Sequence, residues 1–195
     1  MFKVLFALFV TLNAHAGVLP GEVAPDFSAQ SSQGETVHLS DYKGKLIVLE
    51  WTNFGCPFVK KHYNSENMQK LQKEFTQKGV VWLSIVSSAE GKQGFSSPKQ
   101  AEQDRIAHKS NATKFLLDPK GITGKLFGAQ TTPHMFVINA EGKVVYAGAI
   151  DDTPSADAAD VKTAKNYVRM ALNEVLAGKP VTVANTKSYG CSVKY

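Results

Sequence analysis

Leu46-Ile47-Val48-Leu49-Glu50-Trp51-Thr52-Asn53-Phe54-Gly55-Cys56-Pro57-Phe58-Val59-Lys60-Lys61 is the stretch on which the reading of this chain turns. Its first four residues are continuously apolar, as a strand is when both faces of its sheet are covered. Past Trp51 the pattern breaks into a turn around Gly55-Cys56-Pro57. Apolar residues at helical spacing follow, at Val59, Tyr63, Met68, Leu71 and Phe75, which predicts a helix from Pro57 to Gln77 with a kink or restart near Asn64-Ser65. Proline in the first helical turn wastes no donor, so the backbone around Cys56 presents free N–H groups and the positive end of the helix. Both favour thiolate over thiol, and thiolate is the nucleophile. Lys60 and Lys61, one turn on, add positive charge if either points back. The alternative is an inert buried cysteine acting as a small hydrophobe. A place between strand and helix favours the reactive thiol.

Outward from this turn, strands and helices alternate. Val80 to Val86 reads as a second buried strand, and a short strand precedes the first at Thr36 to Leu39. Ser97-Pro98-Lys99-Gln100 carries a helix-start pattern for a segment ending near Lys109. Phe115 to Leu117 is a short strand, closed by the turn Asp118 to Gly121 and a brief helix from Ile122 to Phe127. Met135 to Ile138 and Lys143 to Ala149 form a hairpin around Asn139-Ala140-Glu141-Gly142. A last helix is expected from Ala158 to Ala177, stopped by Gly178 and Pro180. Such an order predicts an α/β fold, a three-layer sandwich with a mixed central sheet.

The composition agrees with one domain. The chain has 195 residues, 43% hydrophobic and 20% charged, with a formal charge of +5 from 22 basic and 17 acidic residues. The basic residues are scattered and no basic run is interleaved with aromatics, so nucleic-acid binding is not expected. Met1 to Ala16 reads as a secretory signal: Lys3 at the start, an apolar run from Val4 to Leu12, and Ala14-His15-Ala16 as the cleavage triplet. That run is shorter than the roughly 20 residues a bilayer span needs, so no membrane insertion is expected after cleavage. The expected organisation is a signal at 1–16, one domain at 17–180 and a tail at 181–195. A periplasmic or secreted location follows, where disulfides persist.

Two cysteines are too few for a disulfide framework. Cys191 stands in an irregular tail, Tyr189-Gly190-Cys191-Ser192-Val193-Lys194-Tyr195. It reads equally as a resolving thiol that attacks an intermediate formed on Cys56 and as half of a permanent disulfide; a third option is a thiol that never meets Cys56. Cys56, His62 and Cys191 could together hold copper or zinc, but the spacing is wrong for a copper-delivery motif: Lys60 stands four residues after Cys56. Neither a metal nor a cofactor is expected, and a copper-binding module is the non-enzymatic alternative. His62 is expected on a helix face, His134 in a loop near the thiol, and His38 and His108 on the surface.

One further segment has a distinctive place. Thr131-Thr132-Pro133-His134 leads directly into the strand Met135 to Ile138. With Ala24-Pro25-Asp26-Phe27, Val48-Leu49-Glu50-Trp51, Gly55-Cys56-Pro57-Phe58 and Glu141-Gly142-Lys143-Val144-Val145-Tyr146, it makes the chain from Gly21 to Ala177 resemble the thioredoxin-fold redoxins, the alkyl hydroperoxide reductase and thiol-specific antioxidant branch. The resemblance implies a thioredoxin-like α/β/α sandwich and a cis bond before Pro133. It places Thr132 and Pro133 beside Cys56, with the Thr132 backbone as an edge for an extended substrate. Phe54, Gly55, Pro57, Thr132, Pro133 and His134 are then the expected substrate contacts, and Cys56 and Cys191 the catalytic residues.

The sequence departs from its relatives at informative places. Three residues after Cys56 stands Val59 and three before it Asn53, so the local dithiol of thioredoxins and the helper threonine of peroxiredoxins are both replaced. The expected function is an exported thiol-disulfide oxidoreductase acting on a protein or small-molecule thiol or disulfide, as a monomer or weak dimer. A peroxidase using the same Cys56 is the alternative.

Overall fold

The computed structural model describes residues 17–195; the leader reading falls on residues outside them. Among the described residues, nine strands and five α-helices follow one another. The strands are β1 (Ser28–Ser31), β2 (Thr36–His38), β3 (Ile47–Trp51), β4 (Val81–Val86), β5 (Lys114–Leu117), β6 (Thr131–Thr132), β7 (His134–Ile138), β8 (Val144–Gly148) and β9 (Cys191–Ser192). The helices are α1 (Pro57–Asn64), α2 (Asn67–Thr76), α3 (Pro98–Ala107), α4 (Ile122–Phe127) and α5 (Tyr167–Leu176). Seven strands form one sheet in the order β2-β1-β5-β4-β3-β7-β8, and β6 and β9 pair separately. The pairs β3–β4 and β4–β5 are parallel, whereas β3–β7, β7–β8, β1–β5 and β1–β2 are antiparallel. The expected mixed sheet is present.

The continuous apolar run of β3 is explained by its two buried faces. Ile47, Leu49 and Trp51 join Leu83, Ile85, Phe136, Ile138 and Phe127 on one side. Val48 joins Trp82, Met135, Val137 and the inner faces of α1, α2 and α5 on the other, in the cluster that holds Cys56. Period-two alternation sends successive side chains to opposite layers, and each layer is closed by helix or turn.

One element follows the sequence reading closely and two differ from it. The helix after Cys56 restarts at Ser65–Glu66, as expected, because Glu66 takes a left-handed conformation (φ 58°) and the Ser65 hydroxyl donates to the Lys61 carbonyl at 2.7 Å. The last helix begins at Tyr167, nine residues later than expected. Asp157 caps a short 3₁₀ turn at Ala158–Lys162, and Asn166 caps α5 by accepting from the Arg169 N–H at 2.8 Å. Two caps nine residues apart make two helical pieces. The Asp151–Asn166 bridge between them ties the chain back to the exit of β8. β1 went unread because its four residues are small or polar and only Ala29 and Ser31 turn inward.

The tail is docked along most of its length. Ala147 and Ala184–Thr186 exchange backbone hydrogen bonds, the Val193 N–H donates to the Gln130 carbonyl at 3.0 Å, and the Ala89 N–H donates to the Lys194 carbonyl at 2.8 Å. Tyr195 donates to the Ala129 carbonyl at 2.7 Å, its ring lying against Gly124 where a Cβ would collide with it.

Candidate active site

Cys56 is the N-cap residue of α1, with Pro57 in the first turn, so the turn leaving β3 delivers its sulfur to a helix N-terminus. Asn53 builds that turn: its carbonyl accepts from the Cys56 N–H and its side-chain oxygen from the Gly55 N–H, both at 2.9 Å. Gln93 braces it from outside, donating to the Gly55 carbonyl at 3.2 Å. Gly55 and Pro57 are exposed, while Cys56 is fully buried.

The sulfur is buried but not in hydrocarbon alone. The thiol donates to the Thr132 carbonyl at 3.1 Å, and the Thr132–Pro133 bond is cis. β6 pairs antiparallel with β9 in a register that sets Thr132 opposite Cys191, so the two cysteines meet across the proline turn as free thiols. Burial pushes the Cys56 pKa up. Hydrogen bonds from the Cys191 thiol, the Val59 amide, the Thr132 side chain and the Cys191 backbone outweigh it, and the net direction is downward. Cys191 moves the other way, to about 11, through burial, its hydrogen bond to Cys56 and the Cys56 charge. Of the two thiols, Cys56 gives up its proton more readily and Cys191 less readily.

Gly190 is what lets the tail come so close. Its φ of +132° lies in the region that favours glycine, and a Cβ there would collide with the Thr132 carbonyl oxygen. The edge that the resemblance assigned to an extended substrate is therefore occupied by the protein's own β9.

Other expected site residues lie elsewhere. His134 is a strand residue, not a loop one, and its ring rests on Phe136 (centroids 4.6 Å apart) in the layer opposite Cys56. The period-two pleat of β7 decides this, because Met135 and Val137 take the Cys56 side. Phe54 is stacked on His108 at 3.9 Å, with Tyr63 edge-on at 4.9 Å. His108 is thus a packing residue rather than a free surface one. Lys61 does not point back to Cys56. It is buried, 3.3 Å from Asp151, and donates to the Thr153 carbonyl at 2.7 Å. His62 sits beside this pair, its Nε2 3.3 Å from the Tyr189 hydroxyl and its Nδ1 2.9 Å from the Asn67 amide. Among the described residues, no three His, Cys, Asp or Glu side chains converge as a metal site.

Two features escaped the sequence reading. Asp151 and Tyr189 carry no local motif and meet Lys61 only through the fold. Glu50 lies within the first quoted stretch, yet its role is tertiary. Fully buried, it accepts from Trp82 Nε1 (2.7 Å), Ser84 (2.8 Å), Gln72 (3.0 Å) and Tyr63 (3.1 Å), and burial pushes its pKa up. A carboxyl directly before the buried Trp51, in a strand otherwise apolar, was the available signal.

A thiol at a strand-to-helix turn, facing a cis-proline loop on this mixed sheet, defines a thioredoxin-fold thiol protein of the redoxin class. The chain belongs to the AhpC/TSA family, whose model matches residues 20–147; Cys191 lies beyond the match. It is similar to the thioredoxin-like protein YneN of Bacillus subtilis, 29% identical over 130 residues that make up 66% of this chain and 70% of that one. It is also similar to the thiol-disulfide oxidoreductase ResA of Bacillus cereus, 24% identical over 64% of this chain and 66% of that one. An uncharacterised conserved protein from Geobacillus kaustophilus matches in structure with a TM-score of 0.77 at 26% identity, over 90% of this chain and 92% of that one.

Proposed function

We propose that this thiol-dependent oxidoreductase works through Cys56 as nucleophile and Cys191 as resolving thiol, on disulfide substrates. The observation that carries the reading is the pairing of the two sulfurs at the Thr132–Pro133 turn, with the Cys56 pKa lowered and that of Cys191 raised. The Cys56 thiolate attacks a disulfide, RS–SR′. A Cys56–SR bond forms, the RS–SR′ bond breaks, and R′S⁻ leaves to take up a proton. Capture of the Cys56 sulfur removes the negative charge that held the Cys191 proton. Of the three causes that raise the Cys191 pKa, only burial then remains. Cys191 releases its proton and attacks the Cys56 sulfur. A Cys56–Cys191 disulfide forms and RS⁻ leaves. The substrate disulfide has gained two electrons, and the two cysteines have lost them. An external dithiol returns the pair to the reduced state by the same exchange.

With β9 on the Thr131–Thr132 edge, an extended polypeptide has no free strand to pair with while the tail is docked. Cys56 is fully buried with β9 docked, so β9 must lift for a small disulfide or a protein substrate to reach the sulfur. Peroxide chemistry is less well served. Asn53 occupies the place of the helper threonine, and Arg105 and Arg169 are engaged by Glu102 and Glu74. Export is part of the proposal, with cleavage after Ala16. Val18 is buried, its N–H donating to the Phe127 carbonyl at 3.4 Å, so a chain starting at Gly17 is anchored from its second residue.

Disulfide-exchange assays with glutathione disulfide and insulin test the reading. Cys56→Ser should abolish exchange, and Cys191→Ser should stop at a mixed disulfide on Cys56 visible by mass. Exchange that survives Cys56→Ser would overturn it. Sulfenate formation by peroxide faster than disulfide exchange would favour the peroxidase instead.

A further inference from the structure

The residues that hold the tail are as unusual as the thiols it brings together. Lys61, His62 and Asp151 are all buried, and nothing in the exchange chemistry uses them. A buried ion pair gives little net stability over well-packed apolar residues, and its best-attested use is to fix one arrangement among several. The arrangement fixed here is that of Tyr189. Its hydroxyl donates to Asp151, lies 3.3 Å from His62 Nε2 and accepts from Lys61 Nζ at 3.5 Å. Its ring meets Phe58 edge-on at 5.9 Å, and the Lys61 ammonium stands 5.5 Å from the ring centre.

Sequence distance turns this cluster into a lever. Phe58, Lys61 and His62 belong to α1, the helix whose N-cap is Cys56. Tyr189 precedes Cys191 by two residues, with Gly190 between them pressed on Thr132. The lock therefore joins the element that carries one sulfur to the segment that carries the other. Tyr189 stays a neutral donor, since burial and the Asp151 carboxylate push its pKa up.

We propose that Tyr189, through its hydroxyl on Asp151, is the positioning residue that holds Cys191 within bonding reach of Cys56. The proposal rests on the resolving role given to Cys191 above. It assigns the effective concentration of that thiol to a side chain outside the exchanging pair. Tyr189→Phe keeps the ring against Phe58 and deletes only the hydroxyl; Tyr189→Ala deletes both.

The test is the equilibrium between the Cys56–Cys191 disulfide and a glutathione buffer, read by alkylation and mass on the whole protein. Tyr189→Phe should weaken the intramolecular disulfide about tenfold, which for this two-electron couple is about 30 mV. Tyr189→Ala should weaken it further. Asp151→Asn should act through the same contact, so that the Tyr189→Phe/Asp151→Asn double variant is no weaker than the worse single one. A potential unchanged in Tyr189→Phe overturns the proposal, whatever Tyr189→Ala does. So does a double variant whose loss is the plain sum of two independent losses. Failure of the underlying reading looks different: wild type and Cys191→Ser would both rest as Cys56–glutathione mixed disulfides, and both proposals would fall.

Discussion

At the scale of single residues, the chain sets buried polar groups where their neighbours decide their charge. Cys56 and Cys191 differ in environment rather than in kind. Ultraviolet titration of thiolate should therefore resolve two steps, one below the ordinary thiol range for Cys56 and one near 11 for Cys191. A single step at an ordinary thiol value would remove the assignment of nucleophile and donor. Glu50 makes a second prediction. It accepts from four buried donors, so Glu50→Ala orphans Trp82, Ser84 and Tyr63 together, while Gln72 keeps its bond to the Tyr63 hydroxyl at 3.1 Å. The expected loss in urea unfolding is on the order of 3–5 kcal/mol, because a buried unpaired donor bears its full desolvation cost. A loss below about 1 kcal/mol would mean that these donors find other partners.

At the scale of elements, β9 is the least expected piece and has the most direct consequence. Two residues paired on Thr131–Thr132 cover a sulfur that would otherwise lie open beside the helix start. Gly190→Ala places a methyl group against the Thr132 carbonyl and should lift β9 while leaving the seven-stranded sheet intact. Alkylation of Cys56 by iodoacetamide should then speed up at least tenfold at unchanged far-ultraviolet dichroism. An unaltered rate would mean that the tail does not guard the thiol. The caps at Asp157 and Asn166 are the other elemental lesson. They overrode an apolar period that ran on through Val161 and Ala164, and Asn166→Ala should cost about 1 kcal/mol.

For the whole molecule, pH is the variable that reaches both layers. Burial lowers the pKa of His62 to about 4, with Asp151 opposing and Lys61 assisting; burial alone lowers that of His134 to about 4. The Gln130 N–H donates to His134 Nδ1 at 3.2 Å, which requires that nitrogen to be unprotonated. Both rings take up protons more readily unfolded, at 6.5, than folded. The unfolded state thus holds more protons between those values, and stability falls as pH drops from 6.5 to 4. Each ring contributes up to roughly 3 kcal/mol to that fall. Glu50, whose pKa is raised, acts in the opposite sense above 4.5. Urea unfolding across this range should therefore show a shallower pH slope in His134→Gln than in wild type. Equal slopes would show that His134 does not contribute.

Much of this protein was legible along the chain, and the reason is periodicity. The apolar run into β3, the break at Gly55-Cys56-Pro57 and the helical spacing after it state locally that a thiol ends a strand and starts a helix. Thr132-Pro133 before an apolar strand pointed, through the family resemblance, to the loop that faces it. Each of these signals is carried by a few neighbouring residues, so the sequence alone pointed to the α/β class, the mixed sheet and a thiol between a strand and a helix. What lies far apart was settled only in three dimensions. Cys191 meets Cys56 because β9 pairs with β6, Lys61 turns to Asp151 instead of the sulfur, and His134 takes the far layer because of the pleat of β7. No local pattern encodes those meetings, since each depends on which surfaces remain after the core has closed.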